Sequence, residues 1–238
     1  MKKTIFIIVA VLLVSSIGVL TYFKNFNKNS SNNNNNNVTG KTNDSLVISI
    51  ISFGKISDEK MLISGKVERG IAKTGDEVSL VGMSDEIIDT KISSLSSFSG
   101  TIKSVEDLKE AEKVDEAKEG DTIFLTIDNV SETQVKIGQV LAAPNTIGAH
   151  DKMDVNIYVY TKEEGGRNTP FFNDYSPLFR FWNEAVEGKI TLDKEIKPGE
   201  RGKATVNIKE KIAMNEGMEF DIVEGGRKIG KATITKVY

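Results

Sequence analysis

From Ser45 to Tyr238 apolar and polar residues alternate in short runs, such as DEVSLV, DTIFLTI, KATVNI and KATITKVY. A period of two is what a strand needs when one of its faces is buried. Glycine punctuates these runs in a recurring tripeptide: Lys73-Thr74-Gly75, Lys118-Glu119-Gly120, Lys136-Ile137-Gly138, Lys197-Pro198-Gly199 and Lys228-Ile229-Gly230. Each glycine can supply the positive φ of a tight turn. The pattern predicts many short antiparallel strands and an all-β fold of closed barrels or sandwiches.

Two segments break the rhythm. In Lys103 to Asp121, Ser104 and Asp107 are spaced as a capping box, and Val105, Leu108, Ala111, Val114 and Ala117 recur every third residue, which predicts a short surface helix. The other is Thr4 to Phe23, TIFIIVAVLLVSSIGVLTYF, which contains no charge. Twenty residues of helix rise about 30 Å, enough to cross a bilayer core. An uncleaved signal anchor is the expectation. Cleavage is the alternative, because Ser16 and Gly18 are small enough for a signal peptidase, although the apolar run continues past them. Residues 24–44, with six consecutive Asn at 32–37, hold too few apolar groups to repay the entropy of ordering, so a disordered tether is expected. A three-residue tail before a signal-like segment points to a cytoplasmic N terminus, with the globular part on the outer side of a single-pass anchor.

Composition narrows the chemistry. With no Cys and a single His, His150, thiolate chemistry is excluded and a metal site would rest almost wholly on carboxylates. No Ser/His/Asp set, metal cluster or spaced carboxylate pair stands out, so no catalytic residue, metal or cofactor is expected. Residues 45–146 carry 11 Lys and Arg against 18 Asp and Glu, whereas 147–238 carry 15 of each. Neither half has the overall basic excess that usually marks a nucleic-acid binder. The drop in pattern at Ala142 to His150 places a module boundary there. The domain expectation is therefore 1–23 anchor, 24–44 linker, 45–146 first module and 147–238 second module.

The tetrapeptide EGGR occurs twice, at Glu164–Arg167 and Glu224–Arg227. Both copies lie between strand-like runs, so a glycine-permitted turn is the first reading. A turn whose N–H groups and arginine also hold an anion is the second. Candidate binding residues are accordingly Arg167, Asn168, Gly225, Gly226 and Arg227. Nearby, Asn168 to Trp182 gathers six of the 17 aromatic residues, with Phe179 and Phe181 alternating against Leu178, Arg180 and Trp182 as on a two-faced strand.

Several longer motifs resemble bacterial elongation factor Tu. GKVERGIAKTGDEVSLVG, VKIGQVLAAPNTI, YTKEEGGRNTPFFNDYSPLFRF and KIAMNEGMEFDIVEGGRKIGKATITKVY follow one another as in that factor's second and third domains. The resemblance runs from about Leu46 to Tyr238 and implies two consecutive six-stranded antiparallel β-barrels. It does not extend to the family's GTPase domain: the chain has no complete G-x-x-x-x-G-K-[ST] loop and no Asn-Lys-x-Asp signature, so no GTP binding is expected. In the family these barrels hold aminoacyl-tRNA. Here Ser94 to Gly100 retains only Phe98 of the acceptor-end motif, Asn168 replaces the usual His, Ser176 and Leu178 replace Arg and Gln, Glu187 replaces Thr, and Glu210 stands where a base is common. Losing bases and adding acids beside phosphates weakens binding, so tRNA affinity should be low or lost. The resulting expectation is a non-catalytic binding module, anchored by residues 4–23 and displayed outside the cytoplasm to a protein or surface partner. An RNA-binding protein at the cytoplasmic face is the competing one.

Overall fold

The computed structural model describes residues 45–97 and 111–238. Apart from a three-residue 3-10 turn at Glu132–Gln134, the described secondary structure is β: fifteen strands, from β1 (Val47–Ser57) to β15 (Arg227–Val237). Contacts divide the chain into two compact units, one holding 45–78 with Thr90–Val135, the other Ser79–Asp89 with Lys136–Tyr238.

Seven strands make the first sheet. Along it β1, β2 (Lys60–Arg69), β8 (Thr122–Asp128), β5 (Ile88–Ser97) and β6 (Glu112–Lys113) follow one another, and β4 (Glu77–Val81) pairs antiparallel with β9 (Val140–Ala142). Strands β3 (Ile71–Lys73) and β7 (Glu116–Lys118) form a separate two-stranded sheet. An additional β4–β5 pairing joins six of these strands into a ring, with β6 as an extra strand and the β3–β7 pair beside it, where a first six-stranded barrel was expected. Close packing of β1 on β2 depends on Gly65, because a Cβ there would lie 2.7 Å from Ile48 Cγ2 and 2.8 Å from the Ser49 carbonyl oxygen.

The described part of the predicted helix is not helical. Residues 103–110 lie outside the description, but β6 and β7 occupy Glu112–Lys113 and Glu116–Lys118. Ala117 is buried opposite Ala72 while Glu116 and Lys118 face solvent. Val114 instead donates its N–H to the Leu95 carbonyl at 3.2 Å, and Ala117 lies in a strand. Pairing with β3 decided the outcome, a long-range contact that outweighs the local helix propensity of Glu, Ala and Lys.

The second module closes, as expected, into a six-stranded antiparallel barrel in the order β10-β13-β12-β11-β14-β15. Its strands are β10 (Gly148–Val159), β11 (Leu178–Phe181), β12 (Glu184–Thr191), β13 (Arg201–Met214), β14 (Glu219–Glu224) and β15. Met153, Val155, Ile157 and Val159 alternate inward from β10, facing Val206 and Ile208 of β13 and Ile222 of β14 in one core. Phe179 and Phe181 point into that core as the alternation predicts. Their rings lie 6.0 and 4.4 Å from that of Phe220. No helix among the described residues is long and apolar enough to cross a membrane, and the Thr4 to Phe23 segment and the Asn-rich linker lie outside the described residues.

The glycine tripeptides resolve into one local device. Gly75, Gly120, Gly138 and Gly199 all have φ between 85° and 98°. In each case the residue after the glycine returns an N–H to the lysine carbonyl, and its side chain accepts the lysine N–H: Asp76, Asp121, Gln139 and Glu200. The fifth copy differs. Gly230 lies inside β15, where a Cβ would approach the Tyr158 carbonyl oxygen to 2.7 Å.

Candidate functional site

The two EGGR copies fold differently. Gly225 and Gly226, at φ 56° and 76°, are the two central residues of the β14–β15 hairpin, and Glu224 pairs with Arg227 across it. Positive φ at both positions is the demand of a type I′ turn, which only glycine and a few polar residues meet cheaply. The first copy lies in the loop between β10 and β11. There the N–H groups of Gly165, Gly166 and Arg167 donate to the carbonyls of Lys162, Thr161 and Tyr160. Those three N–H groups are committed to the chain, so they do not form an anion nest. Glu164 caps the loop, accepting the Thr161 N–H at 2.8 Å, and that bond is the main reason its carboxyl sits below the usual carboxylate range.

Folding then joins unlike ends of the two copies. Arg167 of the first reaches Glu224 of the second, Nη1 to Oε2, at 3.4 Å. Tyr175 sits between them: its hydroxyl donates to Glu224 Oε1 at 2.6 Å and accepts from Arg167 Nη1. Arg167 Nε donates to Thr169 Oγ1 at 2.8 Å. The guanidinium carbon stands 4.7 Å from the Tyr175 ring centroid and 5.5 Å from that of Phe171. Only 14% of the Arg167 side chain remains accessible. Burial, then the bond to Glu224, pushes the Tyr175 hydroxyl well above its ordinary value. This is a latch fastening the 161–176 loop to the hairpin, with its cation already partnered.

The other candidates fall apart from it. Asn168 is exposed beside the latch, and Arg227 is exposed at the hairpin, without an ion pair among the described residues. Sequence reasoning found Arg167 but missed Tyr175 and Glu224 as its partners. The repeated tetrapeptide was the available signal, since it held both halves of the ion pair. Gly225 to Ala232, GGRKIGKA, also matches a phosphate loop up to its final hydroxyl position. The structure turns it into a hairpin and a strand, with Ala232 buried in the barrel, rather than a loop opening a helix.

Next to the latch a groove of about 590 Å³ runs over the barrel, lined by Leu178, Glu187, Lys189, Lys209, Val223 and Gly225 among others. Its lysines are paired, Lys209 with Glu187 and Lys189 with Asp174, the latter at 2.7 Å. Hydrogen bonding to Lys209 holds the Glu187 carboxyl below its ordinary value. Leu178 is 37% exposed on the groove, and Phe172, 53% exposed, lies 5.5 Å from the Tyr175 ring. Leu178 and Glu187 are two of the positions at which the chain departs from the family pattern. Among the described residues no group of three or more His, Asp or Glu side chains is placed to hold a metal ion.

The match to known families falls on this same barrel. Residues 146–238 match the family model of the elongation factor Tu C-terminal domain, so the closed barrel that carries the latch and the groove is elongation-factor-Tu-like.

Proposed function

We propose that the chain is a non-catalytic binding module, held at a membrane by residues 4–23, that presents elongation-factor-Tu-like barrels outside the cytoplasm to a protein or surface partner. The observation that carries this reading is the latch. Arg167, a candidate from the sequence for meeting a phosphate, is bonded to Tyr175, Glu224 and Thr169. The neighbouring groove offers an exposed leucine between two lysine–carboxylate pairs. Such a surface suits a mixed apolar and polar protein contact better than a phosphate backbone, whose affinity comes from unpaired cations. The uncharged run at Thr4 to Phe23 supports the anchor, and the missing phosphate loop supports the absence of GTP chemistry.

Protease treatment of intact cells tests the placement. Loss of the barrels with the cytoplasm intact is the expected result, and full protection would overturn it. The exposed Arg227 is the observation that favours the competing reading, RNA binding at the cytoplasmic face. Filter binding of aminoacyl-tRNA at moderate salt separates the two. Binding lost on Arg227→Ala would favour RNA, and no binding by the unaltered chain would exclude it.

A further inference from the structure

A short segment from outside residues 146–238 is seated on the closed barrel. It is the turn at 82–85, just after β4, and it belongs to the same compact unit as the barrel. The Met83 N–H donates to the Lys211 carbonyl of β13, and the Lys211 ammonium is paired with the Asp85 carboxylate. Lys136 Nζ donates in turn to the Met83 carbonyl at 3.2 Å. Two glycines make room for this seating. A Cβ on Gly82 would lie 3.2 Å from the Ala213 nitrogen, and one on Gly138 would lie 2.9 Å from Met83 Sδ. Met83 itself has φ 58°, a left-handed backbone that side chains other than glycine adopt at a cost, so tertiary contacts must hold it there. Its side chain, like that of Trp182, packs against the apolar core of the barrel. Trp182 Nε1 donates to the Ala213 carbonyl at 2.8 Å, so the turn and the indole meet the same residue of β13.

We propose that Met83 is a redox-sensitive plug: oxidation of its thioether by a peroxide unseats the 82–85 turn from the barrel. Burial narrows the choice of sulfur. Of the six methionines, Met61, Met153 and Met214 have no accessible surface, whereas Met83 and Met218 are partly exposed among the described residues. A peroxide must reach the sulfur to react with it. Met218 lies between β13 and β14, held on both sides by the barrel's own strands. Met83 is carried by a turn from a distant part of the chain, which can leave while the barrel stays closed. In the step, the sulfur gives an electron pair to one oxygen of hydrogen peroxide. The O–O bond breaks, an S–O bond forms, and the departing hydroxide takes the proton of the transferred hydroxyl to leave as water. The thioether becomes a polar sulfoxide, a change that disrupts apolar packing. At Met83 the new oxygen has to enter a contact already so close that a methyl on Gly138 would not fit. The left-handed backbone of Met83 relaxes as the turn departs, which favours release. The Lys211 carbonyl then loses its donor and Asp85 its lysine, and part of the β13 edge is bared.

The test treats the full chain with hydrogen peroxide and uses Trp182, the only tryptophan, as the reporter. Mass mapping of its peptides is expected to find an added oxygen on Met83 while Met61, Met153 and Met214 stay reduced. Trp182 emission should shift to the red and the melting temperature should fall, with the β-sheet circular dichroism kept. Methionine sulfoxide reductases of both stereospecificities, with dithiothreitol, should reverse both changes. Met83→Leu should abolish the red shift and Met218→Leu should keep it. Met83→Gln, polar and of similar length, should show the shift without peroxide. A red shift in Met83→Leu as large as in the unaltered chain overturns the proposal, as does a Met83 that is oxidised with no change in emission or melting temperature. A Met83 that stays reduced while Met218 is oxidised overturns it too. Should Met83→Leu fail to fold, the peptide map and the Met218→Leu variant decide the matter, since loss of the shift in Met218→Leu assigns it to the other sulfur.

Discussion

Tyr175 holds its hydroxyl between a guanidinium and a carboxylate, and half-burial there makes ionisation costly. Its folded-state pKa is raised, so its contribution to stability is complete below the unfolded value near 10 and declines as pH climbs beyond it. Denaturant titrations from pH 8 to 11 should therefore show stability falling at the alkaline end, and Tyr175→Phe should flatten that fall. At neutral pH the same substitution should cost about 1–2 kcal/mol, because it leaves Glu224 and Arg167 each short of a partner. Asp154 runs with the opposite sign. Hydrogen bonds from Tyr238 and then Thr205 hold its carboxyl below the ordinary value, so its contribution is present above the unfolded pKa and disappears as pH falls through the lower folded one. Thr205→Val should make acid unfolding begin at a higher pH, as followed by circular dichroism.

The β14–β15 hairpin and the loop after β10 contain the same four residues but need their glycines for different reasons. At Gly226 a Cβ would meet nothing within 4 Å, so alanine there costs only the left-handed backbone, about 1–2 kcal/mol. Gly166 has no positive φ, yet a Cβ would fall 2.2 Å from the Tyr160 carbonyl oxygen. Alanine at 166 must displace backbone, and urea unfolding should show it as the more damaging change. Within the barrel, Phe181→Ala removes a ring packed on Phe220 from a fully closed core and should cost about 3–5 kcal/mol, measurable by the same titration.

Across the whole molecule charge is distributed unevenly. The first half carries the acid excess, the second is neutral, and within that second half one sheet face interleaves cations from three strands with Asp154 and neighbouring acids. Alternation along single strands produced no run of lysines for the sequence to display. Only pairing three separated strands side by side brought Lys152, Lys203 and Lys236 onto one surface. At this scale calorimetric titration with Mg²⁺ and GTP should give no binding heat, because nothing in the chain supplies a complete phosphate loop with its metal-binding hydroxyl.

The all-β class, the turn positions and the inward faces of β10 and β11 were legible in the sequence, because period-two burial and positive-φ glycines are local properties of the chain. EGGR was rightly read as a turn on the same ground. Local pattern misled at Val114 and Ala117, whose helical spacing gave way to a bond from Val114 to Leu95 and to pairing of Ala117 with β3. It could not show that Arg167 would be taken up by a glutamate 57 positions away, nor that lysines from three strands would share one face. Those outcomes depend on how the barrel closes, and closure brings together side chains whose separation along the chain carries no periodic signal.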